Sequence, residues 1–378
     1  DCSTRADADS ATPPIPILQP TLPVWDVLAP DFEEIVNCPK ITVGRFGRLL
    51  EEEVERRTGV RHAIAVSSCT SGLMLGVRAL DLEGEAILPP FTWTSTGLCL
   101  LWAGVTPVFA DILPGRFTLD PAAFERAITP RTRAVLPVTV FGVPPEIDEI
   151  EAIARRHGIA VLYDSAQGLG STYRGRELAG FGDLEVFSMS PTKVATAFEG
   201  GLLTTNDDAL AAKLRRMRDY GKADDGDIDL LGLSARQSEL HAAVGLRTVE
   251  RLDQAIADRA RIAAQYREGL ADLAGLSFQE IPRHATTTWN YVAIFLDEGR
   301  AALSAGPLHD ALETVGIQTK RYFYRGLHHQ TVFQGRCVAG PMPVAERASR
   351  EGLALPLYSH MQDADVRRVI SAIRERLA

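Results

Sequence analysis

Lys193 closes the run Phe187-Ser188-Met189-Ser190-Pro191-Thr192-Lys193, and Phe198-Glu199-Gly200-Gly201 follows at a short distance. Upstream, the apolar stretch Val161-Leu162-Tyr163 ends in Asp164, with Ser165, Ala166 and Gln167 behind it. A lone lysine is most often a solvated surface charge. An acid ending a strand is most often a cap or a turn residue. Together, in this order, the two meet the needs of pyridoxal phosphate chemistry. The lysine amine forms a Schiff base with the cofactor aldehyde, and the acid pairs with the protonated pyridine nitrogen, which keeps the ring an electron sink.

Two further segments fit the same chemistry. Ser68-Cys69-Thr70-Ser71-Gly72 stands where an apolar run hands over to a helical pattern. The free amides and positive dipole end of such a junction receive a phosphate, and small hydroxyl residues permit close approach. An ordinary serine or threonine cap explains one hydroxyl there, but not four small residues in a row. Trp93 lies just past the strand-like Ala86–Leu88. Its ring offers a planar surface for a planar cofactor, although tryptophan by itself is more often a core residue.

These segments need a scaffold that brings them to one edge. From about residue 60 to 205, short apolar runs alternate with amphipathic stretches. Ala63–Val66, Ala86–Leu88, Pro107–Phe109, Ala134–Leu136 and Ile159–Leu162 read as strands; Thr94–Ala103 and Glu146–His157 read as helices. The alternation predicts parallel strands joined by helical crossovers, an α/β sheet. Ligands bind such sheets at the carboxyl ends of the strands. Asp164, Ser67–Gly72 and Phe91-Thr92-Trp93 all fall at such ends.

Beyond residue 205 the pattern is helical: Asp207–Tyr220, Ser234 to about Val249, then Arg251–Leu273. The remainder mixes short strands and helices and ends in the amphipathic Ala364–Leu377. The expected organisation is a flexible arm over residues 1–18, a large cofactor-binding domain over 19–250 and a smaller α+β domain over 251–378.

The chain of 378 residues exceeds what one core usually serves, which is why two domains are expected. Acidic residues outnumber basic ones, 49 to 40, so a nucleic-acid partner is not expected. Five scattered cysteines, at 2, 38, 69, 99 and 337, show no zinc or redox spacing and fit a reduced, cytoplasmic protein. His328-His329 lacks a second ligand pair at metal spacing, so no metal is expected. No apolar run approaches the about 20 residues that span a bilayer.

The chain resembles the DegT/DnrJ/EryC1/StrS sugar aminotransferases, which are fold type I pyridoxal phosphate enzymes. The resemblance runs through VSSCTSGLMLGVRAL (66–80), LPPFTWTSTGLCLLWAGVTPVFADI (88–112), VLYDSAQGLGSTYRGRELAGFGDLEVFSMSPTK (161–193), FEGG (198–201), GLSARQSELHAAVGL (232–246) and LALPLYSHM (353–361), and spans about residues 16 to 378. It implies a large, mostly parallel αβα sheet domain and a smaller C-terminal one. It implies that Lys193 is the Schiff-base lysine and proton shuttle, and that Asp164 is the pyridine-nitrogen acid. Gln167 then lies beside the ring, Thr70, Ser71 and Ser188 contact the phosphate, and Trp93 stacks on the pyridine face.

The resemblance further implies a homodimer whose site is completed by the neighbour's Gly232–Arg236 segment. The family usually has asparagine where this chain has Ser234, a shorter donor for the neighbour's phosphate. Cys69 stands where many members have glycine and is not read as a reactive thiol. The implied activity is amino transfer, by family habit from L-glutamate, to a keto sugar on a nucleoside diphosphate, in antibiotic or cell-surface biosynthesis. Arg236, Lys320, Arg321, Tyr322, Tyr324, Arg325 and His329 are the candidates for the substrate. A keto-inositol acceptor is the alternative. A sugar dehydratase on this fold would carry histidine at the lysine position, and Lys193 argues against it.

Overall fold

The computed structural model describes residues 13–377. Its centre is an eight-stranded sheet. The strands, named by their first residues, lie in the order His62, Gly201, Leu184, Ala160, Thr132, Glu85, Thr106, Val338. Every pairing is parallel except the two that Gly201–Thr205 makes with His62–Val66 and Leu184–Ser188. One strand out of eight therefore runs against the rest, as the mostly parallel αβα expectation allows.

The strands are buried along nearly their whole length, which is why they read as continuous apolar runs and not as alternation. Alternation survives in where each side chain goes. Ile64, Val66, Ala86, Leu88, Leu162 and Val186 enter one core, while Ala63, Ala65, Ile87, Val161, Tyr163 and Phe187 enter the core on the opposite face. Successive Cβ atoms point to opposite sides. Helices Cys69–Ala79 and Asp208–Met217 cover the first face; Arg45–Thr58, Ile147–His157 and Glu239–Val249 cover the second.

A third core lies between helices Leu252–Leu270 and Asp363–Leu377 and an antiparallel sheet of Leu276–Phe278, Val292–Leu296 and Gly352–Leu355. The division at residue 250 is crossed, however. Strand Val338–Ala339 extends the large sheet beside Thr106–Phe109. Phe323 packs edge-on against Phe91 at 5.1 Å, and Phe295 stacks on Phe117 at 3.9 Å. The C-terminal residues are thus welded to the large sheet by an aromatic seam.

Two expectations change. Residues 13–18 do not form a free arm: Ile15 is buried, its N–H donates to Gly316 O at 2.8 Å, and its carbonyl accepts from Gln318 N–H at 2.9 Å. Two apolar residues, Ile15 and Ile17, find a hydrophobic surface here. Residues 1–12 of the expected arm lie outside the described residues. The helix expected from Ser234 starts at Glu239, where Ser238 caps it by accepting the His241 N–H. Residues 234–238 are instead extended and bridge Asp219, Val66 and Thr42.

Candidate active site

The strand ends carry a cavity of about 290 Å³. Asp164 terminates the strand Ala160–Asp164 and is buried; Ser188 terminates the neighbouring Leu184–Ser188. The loop leaving Ser188 turns at Ser190, whose carbonyl accepts the Lys193 N–H at 3.0 Å, and so returns Lys193 to the cavity. The Lys193 amine forms no hydrogen bond or ion pair among the described residues, and burial holds it below its ordinary value against the pull of Cys69 and Asp164. An amine so placed has a larger neutral, nucleophilic fraction at physiological pH.

Burial raises Asp164, and its bonds oppose that rise: the Thr96 hydroxyl donates to Oδ2 at 2.6 Å and the Ala166 N–H to Oδ1 at 3.2 Å. A buried carboxylate held in this way is a partner for one protonated nitrogen. Gln167 has its polarity set by the backbone. The Phe141 N–H donates to Oε1 at 2.5 Å, so the amide NH₂ is the end left to donate.

Helix Cys69–Ala79 points its N-terminus at the cavity, with Ser68, Cys69 and Thr70 in the wall. The first amides of a helix have no intrahelical acceptor. That of Ser71 is taken by Ser68 Oγ at 3.0 Å, which leaves those of Cys69 and Thr70 for an anion. Ser188 Oγ accepts from Ser190 N–H at 3.3 Å and so keeps its own hydrogen to donate. Gly201 makes the approach possible: a Cβ there would meet Cys69 N at 2.7 Å, Ser68 C at 2.8 Å and Phe187 O at 2.9 Å, all backbone. Burial pushes the Cys69 thiol well up, so it is no ready nucleophile.

Of the residues singled out in the sequence, Lys193, Asp164, Gln167, Thr70, Ser188, Trp93 and Tyr322 line this cavity. Trp93 is 54% exposed and meets Tyr322 edge-on at 6.4 Å. Ser71, Ser234, Arg236, Lys320, Arg321, Tyr324, Arg325 and His329 do not line it. Ser71 spends its hydroxyl in a capping box, donating to Ser68 O at 2.8 Å and accepting the Ser68 N–H at 3.1 Å. Ser234 is exposed and bridges Asp219. Arg236 pairs with Asp219 at 3.1 Å and lies over the Tyr220 ring. His329 is exposed and lies tilted against His328, ring centroids 3.9 Å apart, and the imidazoles of His328 and His329 face Glu346 at 3.6 and 3.8 Å. Glu346 joins the pair only through the fold, so the histidine pair has an acidic neighbour that spacing did not reveal. Thr96, Thr139, Thr192 and Tyr291 belong to the site and carry no sequence signal, being ordinary core or loop residues until packing brings them together.

An amine, a buried acid opposite it and an anion-binding helix end in one cavity define an α/β enzyme of the fold type I pyridoxal phosphate class. The group fits: the acid answers its pyridine nitrogen, the amine its aldehyde and the helix end its phosphate. The model of the DegT/DnrJ/EryC1/StrS aminotransferase family matches residues 28–374, and the chain belongs to that family. It is a pyridoxal-phosphate-dependent aminotransferase. Among solved structures, DesI in the presence of its TDP-sugar product is 35% identical, with a TM-score of 0.92 over 96% of this chain and 93% of that one. DesV of S. venezuelae, in complex with a ketimine intermediate, is 31% identical with a TM-score of 0.90 over 96% and 98%. TlmJ from Streptoalloteichus hindustanus is 26% identical with a TM-score of 0.89 over 96% and 98%.

Proposed function

We propose that this enzyme moves an amino group from an amino acid, L-glutamate in the first instance, to the ketone of a hexose carried on a nucleoside diphosphate. The carrying observation is Lys193, free of any ion pair among the described residues, on one cavity with the buried carboxylate of Asp164. Likeness to DesI, whose structure holds a TDP-sugar product, supports the nucleotide-linked acceptor.

When bound, pyridoxal phosphate supplies the electron sink that lets an amino acid release its alpha proton. Asp164 keeps the pyridine nitrogen protonated and thereby keeps the sink open. Lys193 Nζ would take the alpha proton of the donor and hold it for return, and in the acceptor half it would work in reverse. The Cys69 and Thr70 amides and the Ser188 hydroxyl receive the phosphate. Gln167 donates its NH₂ beside the ring, and Trp93 offers an aromatic face at the mouth. Ser71 serves indirectly, by holding the helix end in its capping box.

Ser234 and Arg236 act in the site of a second copy. They lie outside their own chain's cavity, and the segment before them exposes Tyr220, Ile228 and Leu231, an apolar surface that a homodimer would cover. Tyr322, which lines the cavity, is assigned to the sugar diphosphate together with Arg236 of the second copy; His329, outside the cavity and facing Glu346, is not. The four described cysteines are all free, in keeping with a cytoplasmic enzyme.

The cofactor-loaded protein is to be mixed with L-glutamate, and 2-oxoglutarate release followed with TDP-linked keto-hexoses as acceptors. Turnover with one of them supports the reading. Turnover with free keto-inositol alone would replace it by aminocyclitol transamination. Failure of every amino acid to convert the bound cofactor would sink amino transfer altogether.

A further inference from the structure

Beneath the cavity floor lies a buried acid that the chemistry above does not use. Glu185 sits on the strand Leu184–Ser188, next to the strand that ends in Asp164, and is 1% exposed. Its Oε1 accepts the Ser165 hydroxyl at 2.5 Å, and its Oε2 receives only a long bond from Phe181 N–H at 3.4 Å. Ser165 Oγ in turn lies 3.1 Å from Thr139 Oγ1. Thr139 and Ser165 are both 1% exposed, and Thr139 lines the cavity beside Asp164 and Gln167. Three oxygens thus form a chain from a carboxyl in the core to a hydroxyl at the cavity wall.

Each hydroxyl has one hydrogen. While Glu185 is a carboxylate it can only accept, so Ser165 must give its hydrogen to Glu185. Thr139 must then give its own to Ser165 and can show the cavity only lone pairs. A protonated Glu185 can donate to Ser165, which frees Ser165 to donate to Thr139 and Thr139 to donate into the cavity. We infer that Glu185 is a positioning residue that, through Ser165, decides whether the Thr139 hydroxyl meets the bound cofactor as an acceptor or as a donor. The inference rests on the cavity holding pyridoxal phosphate.

The surroundings make both states reachable. Burial pushes the Glu185 carboxyl up to about 7; the bonds from Ser165 and Phe181 and the charge of Arg176 hold it down, and Glu151 pushes it further up. Tyr163 of the adjacent strand is the other titratable group facing it, and burial keeps that phenol protonated. At the cavity end, Asp164, Lys193 and Glu199 are the charged groups in the lining that includes Thr139.

The test is a pH titration of the visible band of the lysine-linked cofactor in the full-length holoenzyme. The native protein is expected to show an inflection near pH 7 that E185Q loses, because glutamine does not titrate. S165A keeps the acid but cuts the chain, and should lose the inflection too. T139V should lose it, and T139S, which keeps the hydroxyl, should retain it. An inflection absent from the native protein, or equal in all variants, overturns the inference. Loss in E185Q with retention in S165A and T139V also overturns it, since Glu185 would then act through its field and not through the chain. Should E185Q fail to fold, the comparison of S165A with T139V and T139S decides. A native protein with no visible band at any pH would instead overturn the cofactor assignment.

Discussion

The Thr96 hydroxyl donates to Asp164 Oδ2 at 2.6 Å, across 68 positions of sequence. Thr96 sits in the first turn of helix Ser95–Trp102, directly after the segment that carries Trp93, and its own oxygen is 2.9 Å from Thr92 Oγ1. One helix start therefore both borders the cavity mouth and holds the acid at its floor. Burial works against the charged form of Asp164, and this bond is the largest influence favouring it.

Thr96→Val keeps the shape and removes the donor. A hydrogen bond to a charged group contributes about 1.5–3 kcal/mol, so the first half-reaction is expected to slow by roughly 10- to 100-fold. Stopped-flow absorbance with L-glutamate measures this. An unchanged rate would show that Asp164 holds its charge without Thr96.

Lys193→Ala removes the amine but none of the groups assigned to the phosphate and pyridine nitrogen. Cofactor binding should persist, while proton transfer, worth about 10²–10⁴-fold for a positioned general base, is lost along with the covalent link. Equilibrium dialysis against pyridoxal phosphate, paired with single-turnover assays, separates the two. Retention of turnover near the native rate would move the catalytic role elsewhere.

Glu185 is expected to impose a pH dependence on stability. Its folded value, about 7, lies above the ordinary 4.5. Between those values the folded state binds more protons than the unfolded one, so stability falls as pH rises. The loss approaches about 3 kcal/mol once pH passes the folded value. Relative to Glu185→Gln, the native protein should lose Tm steadily from pH 5 to 8. Parallel Tm curves for the two proteins would show that the acid is not shifted.

Glu239 accepts three backbone N–H groups at the start of helix Arg45–Thr58: Gly44 at 2.8 Å, Phe46 at 2.7 Å and Gly47 at 3.0 Å. Glu239→Ala leaves three buried donors without an acceptor, a cost of about 3 kcal/mol or more. Urea unfolding should show a lower midpoint. A midpoint equal to the native one would mean that water replaces the carboxylate without loss.

Lys193→Ala and Arg236→Ala damage different positions, and the proposed shared-site dimer would draw the two residues of each site from different subunits. Mixing the two variants after subunit exchange should recover activity that neither has alone, because a hybrid carries one site intact in both residues. Sedimentation of the native protein at two concentrations provides the oligomeric state. A monomer, or no recovery on mixing, would return Ser234 and Arg236 to a purely structural role.

Much of this site can be read from the chain itself. An acid closing an apolar run, a lysine just past the next one and four small residues at a strand-to-helix junction are local patterns. Parallel strands place their carboxyl ends on one edge, so Asp164, Ser188, Lys193 and Thr70 had to be neighbours once the sheet formed. The strands themselves were legible because burial on both faces demands unbroken apolar runs.

The tertiary structure decided what local pattern leaves open. Ser71 had two outlets for its hydroxyl, a ligand or its own helix end, and the capping geometry took it. Ser234 and Arg236 were drawn away from their own cavity because residues 234–238 extend to bridge three other segments and no helix begins there. Thr96, Thr139 and Tyr291 look like any core residue, and only packing brings Thr139 and Tyr291 to the cavity wall and the Thr96 hydroxyl to Asp164. The Glu185–Ser165–Thr139 chain is the clearest case. Its members come from three strands or strand ends, and a hydrogen bond reaches only about 3 Å, a proximity that no spacing along the chain encodes.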